Sequence, residues 1–137
     1  MPIHLAVGTD TEGVEPSEAS LLIDVEARDY LVRAAELLEI SGVSVLARLD
    51  PWDDCEFCGD ELEGLVVGLP LLREQLSAAL DRRAPDARLQ PPKRVGFLDL
   101  GDGVPFGREG LMRLLVELQA LATRARSAGQ CLIALGD

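Results

Sequence analysis

Two cysteines stand at the spacing used by zinc knuckles and by redox motifs. Cys55 and Cys58 form a Cys-x-x-Cys pair, which could present two thiolates to one zinc ion. A closed zinc site needs four ligands, and the only other soft ligands in the chain are Cys131 and His4. A complete site within one chain is therefore disfavoured, and a zinc ion that bridges two chains is the alternative. Redox chemistry is also disfavoured, because the nearby carboxylates should raise thiol pKa values and suppress the thiolate.

Carboxylates that follow apolar runs are a second candidate site. Asp10, Asp50 and Asp99 each follow a predicted strand, and Asp102 and Asp137 lie in similar positions. Ligands of open parallel sheets bind beyond the carboxyl ends of the strands, where carboxylates can hold a divalent cation such as Mg²⁺ for phosphate chemistry. Aspartates also begin turns and cap helices, and this structural interpretation is the stronger one.

Residues 50–63, named here the acidic segment, carry seven acidic side chains and the only tryptophan of the chain. The composition predicts a loop. Trp52 and Phe57 are expected to be apolar anchors for a partner, since a loop rarely exposes aromatic side chains without a reason. The expected steering charges around them are Asp53, Asp54, Glu56, Asp60 and Glu61. The alternative is that the two aromatic side chains only pin the loop to the core.

Apolar runs and helical periodicities alternate along the chain and predict the elements that position these residues. A helix is expected between an Asp24 N-cap and a Gly42 C-cap, and residues 21–23 are either a strand or the lead-in to this helix. Further helices are predicted at 70–83, where Pro70 would be the first helical residue, and at 108–128. Strands are predicted at 3–7, 43–49, 95–100 and 131–135.

The fold class follows from the order of these elements. A strand at 95–100, a long helix and a strand at 131–135 form the pattern of a βαβ crossover, in which the two strands are parallel. We expect one α/β domain over residues 1–137, with a mostly parallel or mixed sheet of four to five strands and about three main helices. The alternative is an α+β fold with an antiparallel edge.

The net charge of −11 is concentrated in the first half of the chain. Residues 1–65 hold 16 acidic side chains against three arginines, a net charge of −13, whereas residues 66–137 have a net charge of +2. An acidic surface repels nucleic-acid phosphates and attracts basic proteins. No apolar run is long enough for a membrane helix and no signal peptide is evident, so a cytoplasmic protein without a membrane partner is expected. An odd number of cysteines also favours a reducing compartment.

These observations favour a binding protein over an enzyme. A small acidic domain with aromatic side chains in an acidic loop is typical of an inhibitor or immunity-type protein of bacteria, and a basic protein such as a nuclease is the expected partner. The alternatives are a metal-dependent hydrolase that uses the strand-end carboxylates and a zinc-bridged dimer. No cofactor other than these candidate zinc or magnesium ions is expected, and the sequence does not indicate an oligomeric state.

Overall fold

The computed structural model describes residues 3–14, 21–95 and 104–136. The first part of the chain contains strands β1 (Ile3–Gly8) and β2 (Leu21–Ile23), helix α1 (Val25–Leu37), a 3₁₀ helix (Ser44–Arg48) and strand β3 (Cys55–Phe57). The second part contains helix α2 (Gly59–Leu80), a 3₁₀ helix (Ala87–Leu89), strands β4 (Arg94–Val95) and β5 (Val104–Pro105), helix α3 (Gly107–Ser127) and strand β6 (Cys131–Leu135).

Four of these strands form one sheet in the order β2-β1-β6-β3, and each neighbouring pair is antiparallel. Strands β4 and β5 form a separate two-stranded antiparallel ribbon. The mixture of strands with three main helices is confirmed. The expected parallel or mixed sheet is wrong for the strands that the structure describes, and the arrangement is closer to the α+β alternative.

The predicted crossover between residues 95–100 and 131–135 is not seen in the described residues, where both edges of β6 are paired with other strands. Strand β1 pairs with one edge of β6 and β3 pairs with the other. Val95, the first residue of the predicted strand, belongs instead to the β4–β5 ribbon. The rest of that predicted strand, together with Asp99 and Asp102, lies outside the described residues.

The core lies between the three helices and one face of the four-stranded sheet. Ile3 and Leu5 of β1 point to this side, as do Leu132 and Ala134 of β6. The opposite face carries a smaller buried cluster of four side chains, Ala6, Val14, Ile133 and Leu135. Burial on both faces explains why β6 is apolar throughout, since no side chain of its centre faces water.

The predicted start of α1 and both predicted ends of α3 are close to those observed. Asp24 is the N-cap of α1, and its side chain accepts a hydrogen bond from the N–H of Ala27 at 3.0 Å. Helix α1 ends before the expected Gly42. Helix α3 buries the predicted leucine and alanine stripe, and Gly129 follows its end with a φ of +66°. No helix in the described ranges is long and apolar enough to cross a membrane.

Residues 44–48 form a 3₁₀ helix where a strand is predicted at 43–49. Val43, Leu46 and Leu49 are buried, and their spacing of three residues matches the period of a 3₁₀ helix. The N–H of Leu46 donates to the carbonyl of Val43, and the N–H of Leu49 donates to the carbonyl of Leu46, both at 3.0 Å. The high β-propensity of these residues therefore predicts the wrong element, whereas the three-residue spacing of the buried side chains indicates the 3₁₀ helix.

Helix α2 begins eleven residues before the predicted start and contains Pro70 in its interior. Gly64 and Gly68 lie inside this helix and allow close packing. A Cβ on Gly68 would lie 2.8 Å from the carbonyl oxygen of Ser41, and one on Gly42, whose φ is +90°, would lie 2.5 Å from that of Gly64. Helix α2 therefore packs backbone to backbone against residues 41–43, and this contact tolerates no side chain.

Tyr30 ties α1 to the second 3₁₀ helix. Its ring is buried, and its hydroxyl donates a hydrogen bond to the carbonyl of Leu89 at 2.6 Å. Burial raises the pKa of Tyr30 to about 12, although the nearby Arg33 guanidinium opposes this shift. The contact anchors the long connection after α2 to the core.

We expect Gly68→Ala to lower the free energy of unfolding by about 1–3 kcal/mol, because the added methyl group would overlap the backbone at Ser41. Denaturant titration measures this change. Gln75→Ala, at an exposed position of the same helix, is the control and should change stability by less than about 0.5 kcal/mol. A more stable Gly68→Ala protein, as helix propensity alone predicts, would contradict the close contact.

Tyr30 should make the protein less stable in alkali. Its folded-state pKa of about 12 exceeds the ordinary value of 10.0, so its contribution is complete below pH 10 and is lost as the pH rises from about 10 to about 12. The loss should reach about 3 kcal/mol. Since Tyr30 is the only tyrosine, tyrosinate absorbance follows its ionisation directly. Tyr30→Phe should be less stable at neutral pH and should lack this alkaline loss.

Candidate functional site

The acidic segment is not a loop along its whole length. It consists of a turn at residues 50–53, strand β3 and the first turn of α2. Asp50 organises the turn, because its Oδ1 accepts a hydrogen bond from the N–H of Trp52 at 2.8 Å. The segment therefore presents its side chains from regular structure, and each direction is set by the backbone.

The two aromatic side chains of the segment have opposite environments. Trp52 is 68% exposed at the tip of the turn, whereas Phe57 is completely buried in the core. The expectation that Phe57 anchors a partner is wrong, because β3 points this residue to the helix-covered face of the sheet. Phe57 pins the segment to the core, as the alternative interpretation held, and Trp52 does not.

The turn that carries Trp52 is fixed against the end of β6. The N–H of Gly136 donates to Asp54 Oδ1 at 2.9 Å. A Cβ on Gly136 would lie 2.5 Å from the N atom of Asp53 and 2.9 Å from the carbonyl oxygen of Pro51. Only glycine allows this approach, so Trp52 is exposed on an ordered turn and not on a free loop.

The structure brings Glu12, which no sequence pattern indicated, close to carboxylates that were predicted as candidates. An open depression of about 520 Å³ lies beside β3 and is lined by residues from three parts of the chain, Asp10, Thr11, Glu12, Arg48, Asp54, Cys55 and Glu56. Asp10 and Glu12 come from the turn after β1, which folds back over the sheet. The acidity of the first half of the chain was the only sequence signal that Asp10 and Glu12 would lie near Asp54 and Glu56.

Arg48 is the cation of this depression, and its contacts are internal. It forms an ion pair with Glu61, lies 5.0 Å from the centre of the Phe57 ring and donates to the carbonyl oxygen of Glu56 at 3.2 Å. Glu61 is therefore neutralised within the chain and contributes little to an external field. Asp53, Asp54 and Asp60 are exposed, and Glu56 is half-buried.

The proposed metal carboxylates have local roles where the structure describes them. Asp10 Oδ1 accepts a hydrogen bond from the N–H of Gly13 at 2.9 Å, and Asp50 Oδ1 accepts one from Trp52. Both thus shape turns. Asp99 and Asp137 lie outside the described residues. Within the described ranges, no group of three or more His, Cys, Asp or Glu side chains could hold a metal ion.

The cysteines do not pair as a zinc knuckle. Cys58 forms a disulfide bond with Cys131, with a Cα–Cα distance of 4.8 Å, and Cys55 is a free thiol. The pairing follows from register, because Phe57 is opposite Leu132 and the next residues are therefore opposite each other. Strand alternation places Cys55 on the helix-covered side and Cys58 on the other, so the two cannot bind one ion as predicted.

This disulfide bond also removes the argument from cysteine count for a reducing compartment, since two of the three cysteines are paired. Cys55 is a poor nucleophile. Burial raises the pKa of its thiol, and the nearby carboxylates Asp53, Asp54 and Glu61 raise it further, while Arg48 opposes them.

Comparison with known proteins gives no match: no family model, curated protein or solved structure is significantly similar to this chain. The function is therefore inferred from the site itself.

Trp52 and Phe57 should differ in their contributions to stability. We expect Phe57→Ala to cost about 3–5 kcal/mol, as the loss of a buried aromatic side chain does. Trp52→Ala should cost less than about 1 kcal/mol, because this side chain is largely exposed. Thermal and denaturant melts of both variants measure the difference, and equal losses would contradict the two environments.

Reduction of the disulfide bond should lower the free energy of unfolding by about 4 kcal/mol, since the bond closes a long loop in the unfolded chain. Denaturant titration with and without dithiothreitol measures this loss. Cys131→Ser should reproduce it in the absence of reductant, whereas Cys55→Ser should retain the stabilisation by the bond. Stability unaffected by both reduction and Cys131→Ser would show that the bond does not form.

Proposed function

We propose that this chain is a protein-binding module that docks a basic protein on its acidic face. The acidic face is defined by Trp52 and five carboxylates, Asp10, Glu12, Asp53, Asp54 and Glu56. The observation that carries the proposal is the exposure of Trp52, the largest exposed apolar side chain of the described residues, on an ordered turn among exposed carboxylates.

The energetics of Trp52 suit an anchor. Burying most of a tryptophan side chain in a partner removes a large apolar area from water, and tryptophan is enriched among the residues that dominate binding energy. Because the turn is fixed by Asp50 and Gly136, little conformational entropy is lost when a partner binds. A mobile loop would lose more.

The surrounding charges specify the chemistry of the partner. Asp53 and Asp54 are exposed, and Arg48 is occupied by Glu61, so the acidic face keeps most of its negative potential. Lysine and arginine side chains of a partner can pair with these carboxylates, and a guanidinium group can also stack on the Trp52 ring. The same potential disfavours nucleic acid.

Inhibition of a basic enzyme, as an immunity-type protein would do, is the biological role that fits this chemistry best. An acidic inhibitor covers a cationic active site and associates rapidly through electrostatic attraction. We retain the cytoplasm as the proposed location. The enzyme alternative gains no support from Asp10 and Asp50, whose side chains serve local turns.

The test is a charge-neutralised variant, Asp53→Asn, Asp54→Asn and Glu56→Gln together. The amides keep oxygen acceptors for Gly136 and for the turn, so folding stability should barely change. Proteins captured by wild-type chain from the source lysate are identified, and association rates are measured with the purified partner. We expect the variant to associate more slowly and with weaker salt dependence.

Glu26→Gln, Glu36→Gln and Glu74→Gln together form the matched control, since they remove the same charge at exposed helical positions away from the acidic face. This control should retain nearly wild-type association. Trp52→Ala should weaken affinity by about 30-fold if Trp52 is a hot spot. Equal binding by wild type, the acidic-face variant and Trp52→Ala would overturn the proposal.

A further inference from the structure

We infer that the Cys58–Cys131 disulfide bond is a redox-sensitive latch that keeps the acidic segment ordered. Its regulatory meaning rests on the proposed function, because an ordered Trp52 turn is what a partner would bind. The structural part of the inference, that reduction loosens residues 53–61, does not depend on any partner. The inference starts from the position of the bond, which joins the end of the acidic strand β3 to the beginning of β6.

Three kinds of attachment join the acidic segment to β6 and Gly136, and Arg48 and Arg126 add contacts with Glu56, Glu61 and Glu63. At its beginning, Asp53 and Asp54 contact Gly136 just beyond β6. In its middle, three residues of β3 pair with β6, and Phe57 enters the core. At its end, the disulfide bond supplies the covalent attachment. The segment therefore depends on β6 along its length.

The β3–α2 junction at Cys58 and Gly59 has few other constraints, whereas Glu61 and Glu63 attach the first turns of α2 through ion pairs with Arg48 and Arg126. Cys58 is the N-cap of α2, yet its side chain makes no capping hydrogen bond. The next residue, Gly59, has a φ of +55°, and a Cβ built on it would meet no atom within 4 Å. Strand β3 is also an edge strand of only three residues. Once the bond opens, the β3–α2 junction has no side-chain cap in its place, and local opening becomes easier.

Both sulfur atoms belong to half-buried residues, so a thiol reductant can reach the bond. A thiolate of a dithiol attacks one sulfur and forms a mixed disulfide while the other cysteine leaves as a thiolate. The second thiolate of the reductant then attacks the reductant's sulfur in the mixed disulfide, and the cysteine bonded to that sulfur leaves as a thiolate. The reductant becomes a cyclic disulfide, and two protons from its thiols end on Cys58 and Cys131.

The core should survive this change. Helix α3 and the helix-covered face of the β1–β6 pair are held by buried leucine, isoleucine and alanine side chains of the main core, whereas Cys131 packs against the smaller cluster on the opposite face. Burial of the Phe57 side chain in the core still stabilises β3 after reduction, so β3 should open transiently and not detach permanently. The expected effect is therefore a change in local opening that is centred on residues 53–61 and extends to the adjoining Trp52 turn, in addition to the global loss of stability.

Hydrogen exchange with peptide-level readout tests the latch. Wild-type protein is compared before and after reduction with dithiothreitol, under conditions where circular dichroism shows the native fold. We expect amides of residues 53–61 to exchange at least about tenfold faster in the reduced protein, and by a larger factor than amides of α3. Anisotropy of Trp52, the only tryptophan, should fall on reduction.

Two variants make the test specific. Cys55→Ser keeps the bond and should behave as wild type before and after reduction. Cys131→Ser lacks the bond and should show the fast exchange without reductant; if it does not fold, reduced Cys55→Ser supplies the same state. Uniform acceleration across the whole chain, unchanged exchange at residues 53–61, or unfolding on reduction would each overturn the latch. A chain with redox-sensitive exchange but no basic partner would refute only the proposed function.

Discussion

Strand β6 is the constraint on which the rest of this structure depends. It is paired on both edges, with β1 on one side and β3 on the other. Its side chains are buried on both faces of the sheet. The residues at its two ends fix the acidic segment, since Cys131 is bonded to Cys58 and Gly136 contacts Asp53 and Asp54. The direction and register of one strand thus determine where the exposed Trp52 lies.

Local patterns predicted the elements better than they predicted the sheet. The apolar stripe of α3 and the Asp24 cap of α1 depend on neighbours within a few residues, so the sequence contains the needed information. Strand direction depends on distant pairing. The wholly apolar run of β6 suggested a parallel strand covered by helices on both faces. Its second face is covered instead by a small cluster that includes Val14, which no local pattern indicates.

The candidate site shows the same division. Trp52 is exposed because it lies in the turn at 50–53, and Phe57 is buried because of the alternation of side chains along β3. The prediction of a loop contains neither the turn nor the alternation. The approach of Glu12 and the pairing of Cys58 with Cys131 require tertiary structure, because these residues are far apart in sequence. A charge map alone indicated the acidic half of the chain, but not which of its groups lie close together.

Under the proposed function, the distribution of charge would orient a basic partner on the acidic face. Exposed carboxylates close together repel one another, but water and salt screen such repulsion beyond about 8 Å, so the cost to folding is small. Two other acidic side chains, Asp81 and Glu63, form ion pairs with Arg108 and Arg126 that join α2 to α3. Under the proposed function, a basic protein would meet the exposed carboxylates beside Trp52. Electrostatic attraction would then orient the partner towards the same surface on which the exposed aromatic side chain can bind.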